Sequence, residues 1–232
     1  MSNYPTTLLT QIYKINKKQF SKKFRLEMTT EQEYSKYLNT AIIDYLNSKH
    51  NMNMKIFVSL IHKYGEEFKK NCINNIKNIE TLESDIQEIY NQFVGDYFEA
   101  FAEFFLKSFN NDSRYGVKDY LPNIDKEDMG VDGYGFCYDD TNGRNPCVIQ
   151  VKYRSNPMDE ITYSALAKTF CQGILEFKIE KDIDKNLILF GSSDANYKAK
   201  DFFKKELFVI SDKAINMEIN NVEFWVAFCN CF

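Results

Sequence analysis

The chain has 232 residues, 44% of them apolar and 16% aromatic, and a formal net charge of −4. That is ample material for a large core, and the mild acidity gives no overall attraction for nucleic acid. Two histidines and six scattered cysteines without a CxxC pair exclude a histidine triad and a zinc cluster.

No apolar run reaches the roughly 18 residues that a membrane helix needs. The first residues, MSNYPTTLLTQIYKINKKQF, lack the apolar stretch of a signal peptide. A cytoplasmic protein with reduced thiols is therefore expected. The charge is uneven along the chain. Residues 1–85 carry 13 Lys and Arg against 9 Asp and Glu, a net of +4, which leaves −8 for the rest. The basic run KINKKQFSKKFR, 14–25, places Lys17, Lys18, Lys22 and Lys23 among apolar residues. It reads either as a solvated helix face or as an arm that contacts nucleic-acid phosphates.

Residues 1–25 suggest a short helix or arm. Thr30 with Glu33 three residues later is a capping box, and it opens a helix with Tyr37, Ile42, Tyr45 and Leu46 at helical spacing. Residues 52–78 predict a second helix, with Ile56, Leu60, Tyr64 and Phe68 recurring every four. Residues 82–109 predict a third, long and aromatic. Phe93, Tyr97, Phe98, Phe101, Phe104 and Phe105 fill one arc, with Glu99 just beyond it and Glu103 further toward solvent.

The texture changes near residue 110. Residues 110–146 are rich in Asn, Asp, Gly and Pro. VDGYGFCY, 131–138, predicts a strand, DDTNGRNP a turn, and CVIQVKYR, from Cys147, the paired strand. A helix over 160–178 follows, then a buried strand at 186–193, a helix at 197–206, a strand at 207–211 and a last strand at 221–232. The order is helix, hairpin, helix, strand, helix, strand, strand. It predicts an α/β core, a mixed sheet flanked by helices, with an N-terminal helical region. The division expected is 1–85 for the helical region, serving DNA contact or dimerisation, and 86–232 for the α/β domain.

Within the second strand of the hairpin, Val148, Gln150 and Lys152 share one face, because residues two apart in a strand point the same way. Burying an unpaired lysine is costly, so this face needs a partner for the charge. Asp132, between Gly130 and Gly133, sits on the preceding strand, and paired strands lie about 5 Å apart. A carboxylate, an amide and an ammonium would thus converge at one end of a sheet, with the glycines leaving room for a metal ion or a ligand backbone. Glu99 is the acid best placed to look along the core's edge. Asp132, Gln150 and Glu99 are oxygen ligands suited to Mg²⁺. Lys152 would stand over a metal-bound water, which is the chemistry of phosphodiester hydrolysis. Other readings stay open. Asp132 can be a turn aspartate, Lys152 can snorkel or pair with Glu99, and Glu103 is a rival for the helix acid.

GDYFEAFAEFFL, MGVDGYGF and VIQVKYRS together resemble the PD-(D/E)xK nuclease superfamily, in its Mrr-like, restriction-endonuclease-like branch. There a helix carries Gly-x-x-Phe-Glu, a first strand Gly-(Ile/Val)-Asp and a second strand Gln-x-Lys. The resemblance covers roughly residues 93–232. It implies a helix acid at Glu99, a central metal ligand at Asp132, and the strand pair Gln150 and Lys152. It also implies one or two Mg²⁺ ions (Mn²⁺ substituting) at the edge of a mixed four-stranded sheet, DNA as substrate, and a homodimer where both strands are cut. The sequence departs from the pattern twice: no proline precedes Asp132, and Gln150 stands where an acid is usual, which weakens metal binding.

The activity implied is a Mg²⁺-dependent DNA endonuclease of restriction or homing type. The alternative is a nuclease-fold protein that binds DNA or a partner without cutting. Arg154, Lys168 and Lys198 are candidate backbone contacts beside the four N-terminal lysines. Tyr163, Lys168 and Gln172 of the helix after the strand are expected to face the substrate, and Phe224 and Trp225 to be core.

Overall fold

Small and apolar residues alternate over 133–137, and a continuous apolar run follows from 147. These become two paired strands, the first with alternating burial and the second buried along most of its length. The computed structural model describes residues 53–75, 83–110, 112–115, 117–123, 130–137, 145–156 and 158–229. The expected helices at 1–25 and from Thr30, with Lys17, Lys18, Lys22 and Lys23, lie outside these residues, as does most of the expected turn at 139–146.

The elements in order are α1 (Met54–Asn75), α2 (Glu83–Ser108), β1 (Val117–Pro122), β2 (Gly133–Cys137), β3 (Pro146–Lys152), α3 (Tyr163–Glu176), β4 (Leu187–Gly191), α4 (Tyr197–Phe203), β5 (Leu207–Ile210), α5 (Asp212–Ile219) and α6 (Val222–Cys229). The strands form one mixed sheet in the order β1-β2-β3-β4-β5. β2 runs antiparallel to both β1 and β3, and β3, β4 and β5 run parallel to one another. This is an α/β fold, a mixed sheet flanked by helices with a helical region before it, as the sequence predicts. No helix among the described residues is long and apolar enough to cross a membrane.

The chain divides into two compact units, one of residues up to Ala100 with Glu218 onward, the other Phe101–Met217. The first is helical. In it Trp225 is fully buried, its ring 5.1 Å from Phe57, and its indole N–H donates to the Ile219 carbonyl at 2.7 Å. The second holds the sheet. On one sheet face Val148, Leu187 and Leu189 pack with Leu166 of α3 and with Ala199 and Phe203 of α4. On the other, Phe190 of β4 meets Phe105 and Phe101, with centroids at 5.4 and 6.1 Å.

Three elements differ from expectation, α5 among them, because nothing was expected over 212–219. Residues 221–232 were expected as a strand, and the described part, Val222–Cys229, is a helix. Phe224, Trp225 and Phe228 are buried while Val222 and Val226 are exposed, which is helical spacing. A short apolar run does not separate the two by composition. β1 was not expected at all. It carries a bulge between Lys118 and Leu121, with Asp119 at φ 54°, so its burial does not alternate.

Candidate functional site

The face shared by Val148, Gln150 and Lys152 lies beneath α3. Val148 belongs to the apolar core there, and Gln150, next along, is only 2% exposed. A buried amide must use its donors and acceptor, and Gln150 does. With the amide turned so that its NH₂ faces acceptors, Nε2 donates to Thr169 Oγ1 at 2.8 Å and to the Ala165 carbonyl at 3.0 Å, and Oε1 accepts from Lys152 Nζ at 2.9 Å and lies 3.2 Å from Thr169 Oγ1. The opposite orientation would set the amide oxygen against Ala165 O and its NH₂ against an ammonium. The partner that the strand's lysine requires is therefore its own neighbour on the same face.

The Thr169 hydroxyl is fully buried and donates to Gly130 O at 2.6 Å. One turn along α3, Gln172 is fully buried too. Its Oε1 accepts from Val131 N at 3.2 Å and its Nε2 donates to Glu176. Two side chains of α3 thus hold the backbone just ahead of Asp132.

Asp132 meets β3 twice. Its N–H donates to Ile149 O at 3.0 Å, although Ile149 is the register partner of Gly133. Its Oδ2 accepts from Val151 N at 2.6 Å. The carboxylate is thereby fixed to the main chain between Gln150 and Lys152. Asp132, Gln150 and Lys152 come together at the carboxyl end of β3. Of the glycines beside Asp132, Gly133 does not leave the room that was expected of it, whereas Gly130 lines the pocket beyond Lys152. A Cβ on Gly133 would meet the Tyr120 ring at 2.4 Å, and one on Gly130 would meet Thr169 Oγ1 at 3.1 Å. The Tyr120 ring fills the place at Gly133.

Beyond Lys152 a pocket of about 1090 Å³ is lined by Lys152, Arg154 and Lys168 together with Gln150, Ala165 and Cys171. Its lining holds three cations and no acid, so its chemistry suits an anion. Arg154 is set by Ser192, whose Oγ accepts from Arg154 N at 2.6 Å and donates to Arg154 O at 3.0 Å.

Of the α3 residues expected to face substrate, Lys168 lines this pocket. Gln172 is buried, and Tyr163 packs on Phe202 and Phe203 of α4. Lys198 is exposed on α4 and is not part of the lining. Glu99 is half-buried and belongs to the helical unit. Glu103 is not toward solvent: it is 1% exposed, paired with Lys107, and its Oε2 has no hydrogen-bond partner among the described residues. Residues 100–106 of α2 are buried all round, so a single apolar arc does not describe the helix there.

Thr169 and Ser192 were not anticipated. The sequence signal for Thr169 is a hydroxyl on the apolar stripe that Leu166 and Gly173 mark. Among the described residues no three of His, Cys, Asp and Glu gather as a metal-binding group. Mg²⁺ takes one or two carboxylates and keeps several waters, so the single half-buried carboxylate of Asp132 still fits such an ion.

The arrangement is that of an α/β protein with a polar cluster at the carboxyl end of a central strand, where ligands of open α/β sheets commonly sit. Among solved structures the chain is similar to the MspJI restriction endonuclease in complex with a 27-mer oligonucleotide, at 14% identity and a TM-score of 0.38, over 64% of this chain and 34% of that one. This chain thus spans about a third of that protein's length. No family model matches, and neither does any curated protein.

Proposed function

We propose that this protein is a divalent-cation-dependent endonuclease that hydrolyses phosphodiester bonds of DNA. The observation that carries the reading is the site at the end of β3. Asp132 Oδ2 is tied to Val151 N at 2.6 Å, Lys152 to Gln150 at 2.9 Å, and Gln150 and Lys152 line a pocket that holds three cations. The motif likeness of these same residues supports it.

Asp132 would hold Mg²⁺ or Mn²⁺. When bound, the cation supplies Lewis acidity and eases deprotonation of water. Lys152 meets the charge that develops on the scissile phosphate. Its ammonium is held in place beforehand, so little reorganisation is needed at reaction. Arg154 and Lys168 neutralise phosphates on either side. Cutting both strands takes two such sites, which is why a homodimer belongs to this reading, as does a cellular interior that keeps the thiols reduced.

Plasmid cleavage in Mg²⁺ and in EDTA, beside Lys152→Ala and Asp132→Ala, tests the proposal. Cutting is expected in Mg²⁺ only, with a loss of at least about 100-fold in either variant. DNA binding without cutting in Mg²⁺ or Mn²⁺ favours the second reading, a nuclease-fold binder.

A further inference from the structure

We propose that Gln150 is a positioning residue for Lys152 rather than a cation ligand, and that Thr169 of α3 is the group that orients it. The proposal rests on the hydrolytic reading of the site and refines it.

The amide at 150 is fully engaged. Both N–H groups are used, on Thr169 Oγ1 at 2.8 Å and Ala165 O at 3.0 Å, and its oxygen accepts from Lys152 Nζ at 2.9 Å. Thr169 spends its own proton on Gly130 O, so toward Gln150 it can only accept. The relay therefore has one direction. Gly130 O fixes the threonine hydroxyl, the hydroxyl fixes the amide, and the amide oxygen faces the ammonium. Gln150 is 2% exposed and Thr169 fully buried, so water does not compete for these bonds.

A cation on the same oxygen would sit about 2.1 Å from it, beside an ammonium already at 2.9 Å. Two positive charges would then share one buried neutral oxygen. The residue type follows from this arrangement. A glutamate at 150 would lose both donated bonds and set a carboxylate oxygen against Ala165 O, whereas glutamine satisfies all three neighbours. Gln150 is thus not a weakened acid. Its donors are what the site uses.

Three variants separate the roles: Gln150→Glu, Thr169→Val and Thr169→Ser. Two readouts are independent of turnover. One is Mg²⁺ binding by titration calorimetry. The other is the ε-methylene NMR signal of Lys152 in protein with ¹³C-labelled lysine, assigned by its absence in Lys152→Ala.

In Thr169→Val the Lys152 signal is expected to move and sharpen as the side chain gains freedom, and kcat to fall about tenfold or more with little change in KM. Thr169→Ser, which keeps the hydroxyl, is expected to restore both. Gln150→Glu is expected to leave Mg²⁺ affinity unchanged while kcat falls. A several-fold gain in Mg²⁺ affinity with activity retained in Gln150→Glu overturns the proposal, because that is the behaviour of a ligand position. So does an unmoved Lys152 signal in Thr169→Val. If the wild type does not cleave, the hydrolytic reading fails on its own, and the NMR signal still decides whether Thr169 and Gln150 hold Lys152.

Discussion

Gly130 is the residue at which the site's geometry is most exposed to a single change. Its φ of +110° lies where side chains other than hydrogen are strained, and its carbonyl takes the Thr169 hydroxyl. A Cβ there would also come within 3.1 Å of Thr169 Oγ1. Gly130→Ala is therefore expected to cost about 1–3 kcal/mol of stability from backbone strain. It should also lower cleavage more than that loss explains, because Asp132 follows two residues later. Urea unfolding of the variant, with activity assayed well below the transition, checks both parts. A stable variant with normal cleavage would mean that the 130–131 backbone does not set Asp132. Asp132 and Lys152 were legible in the sequence because a charged residue inside a strand, or between glycines, is a conflict that demands a partner. Thr169 was not, because one hydroxyl on an apolar helix stripe looks like ordinary variation until the strand beneath it is known.

At the scale of elements, legibility followed periodicity. β2 and β3 alternate or run apolar between turn residues, and α3 repeats its apolar positions every three or four. All three fall close to their expected bounds. β1 was hidden by its bulge, which breaks the two-residue period on which strand reading depends. α6 was misread because seven apolar and aromatic residues out of eight satisfy either period. Its burial against Phe57, a contact distant in sequence, shows the helical spacing. The clasp of α2 on the sheet is testable as an element. Phe190 of β4 is fully buried between Phe101 and Phe105, so Phe190→Ala leaves a cavity under the helix. The expected loss is about 3–5 kcal/mol, read as a lower urea midpoint at an unchanged slope. Phe190→Leu keeps much of the buried area and is expected to lose less. A loss under about 1 kcal/mol in the alanine variant would mean that the helix is not anchored through this ring.

For the whole molecule, the division into a helical unit and a sheet unit makes one residue an unusually selective probe. The chain's single tryptophan, Trp225, is fully buried in the helical unit, so its fluorescence reports that unit's unfolding. The same unit holds His62 on α1, in contact through Nδ1 with the Tyr90 hydroxyl of α2. Burial lowers the pKa of His62 from the ordinary histidine value, and the nearby Glu66 offsets this in part. Burial and Glu66 both push the Tyr90 phenol up, and Lys69 lies over its ring at 5.8 Å. A histidine whose folded pKa is depressed is neutral in the fold, while in the unfolded chain it takes a proton below about pH 6.5. The stability that it contributes is thus present above pH 6.5 and is lost as the pH falls through the lowered folded value. The Trp225 thermal transition is expected to drop between pH 7 and pH 5, and to drop less in His62→Gln, which cannot titrate there. His62 is only partly buried, so the difference is expected to be a few degrees at most. An equal drop in both proteins would assign the acid sensitivity of the helical unit to its carboxylates instead.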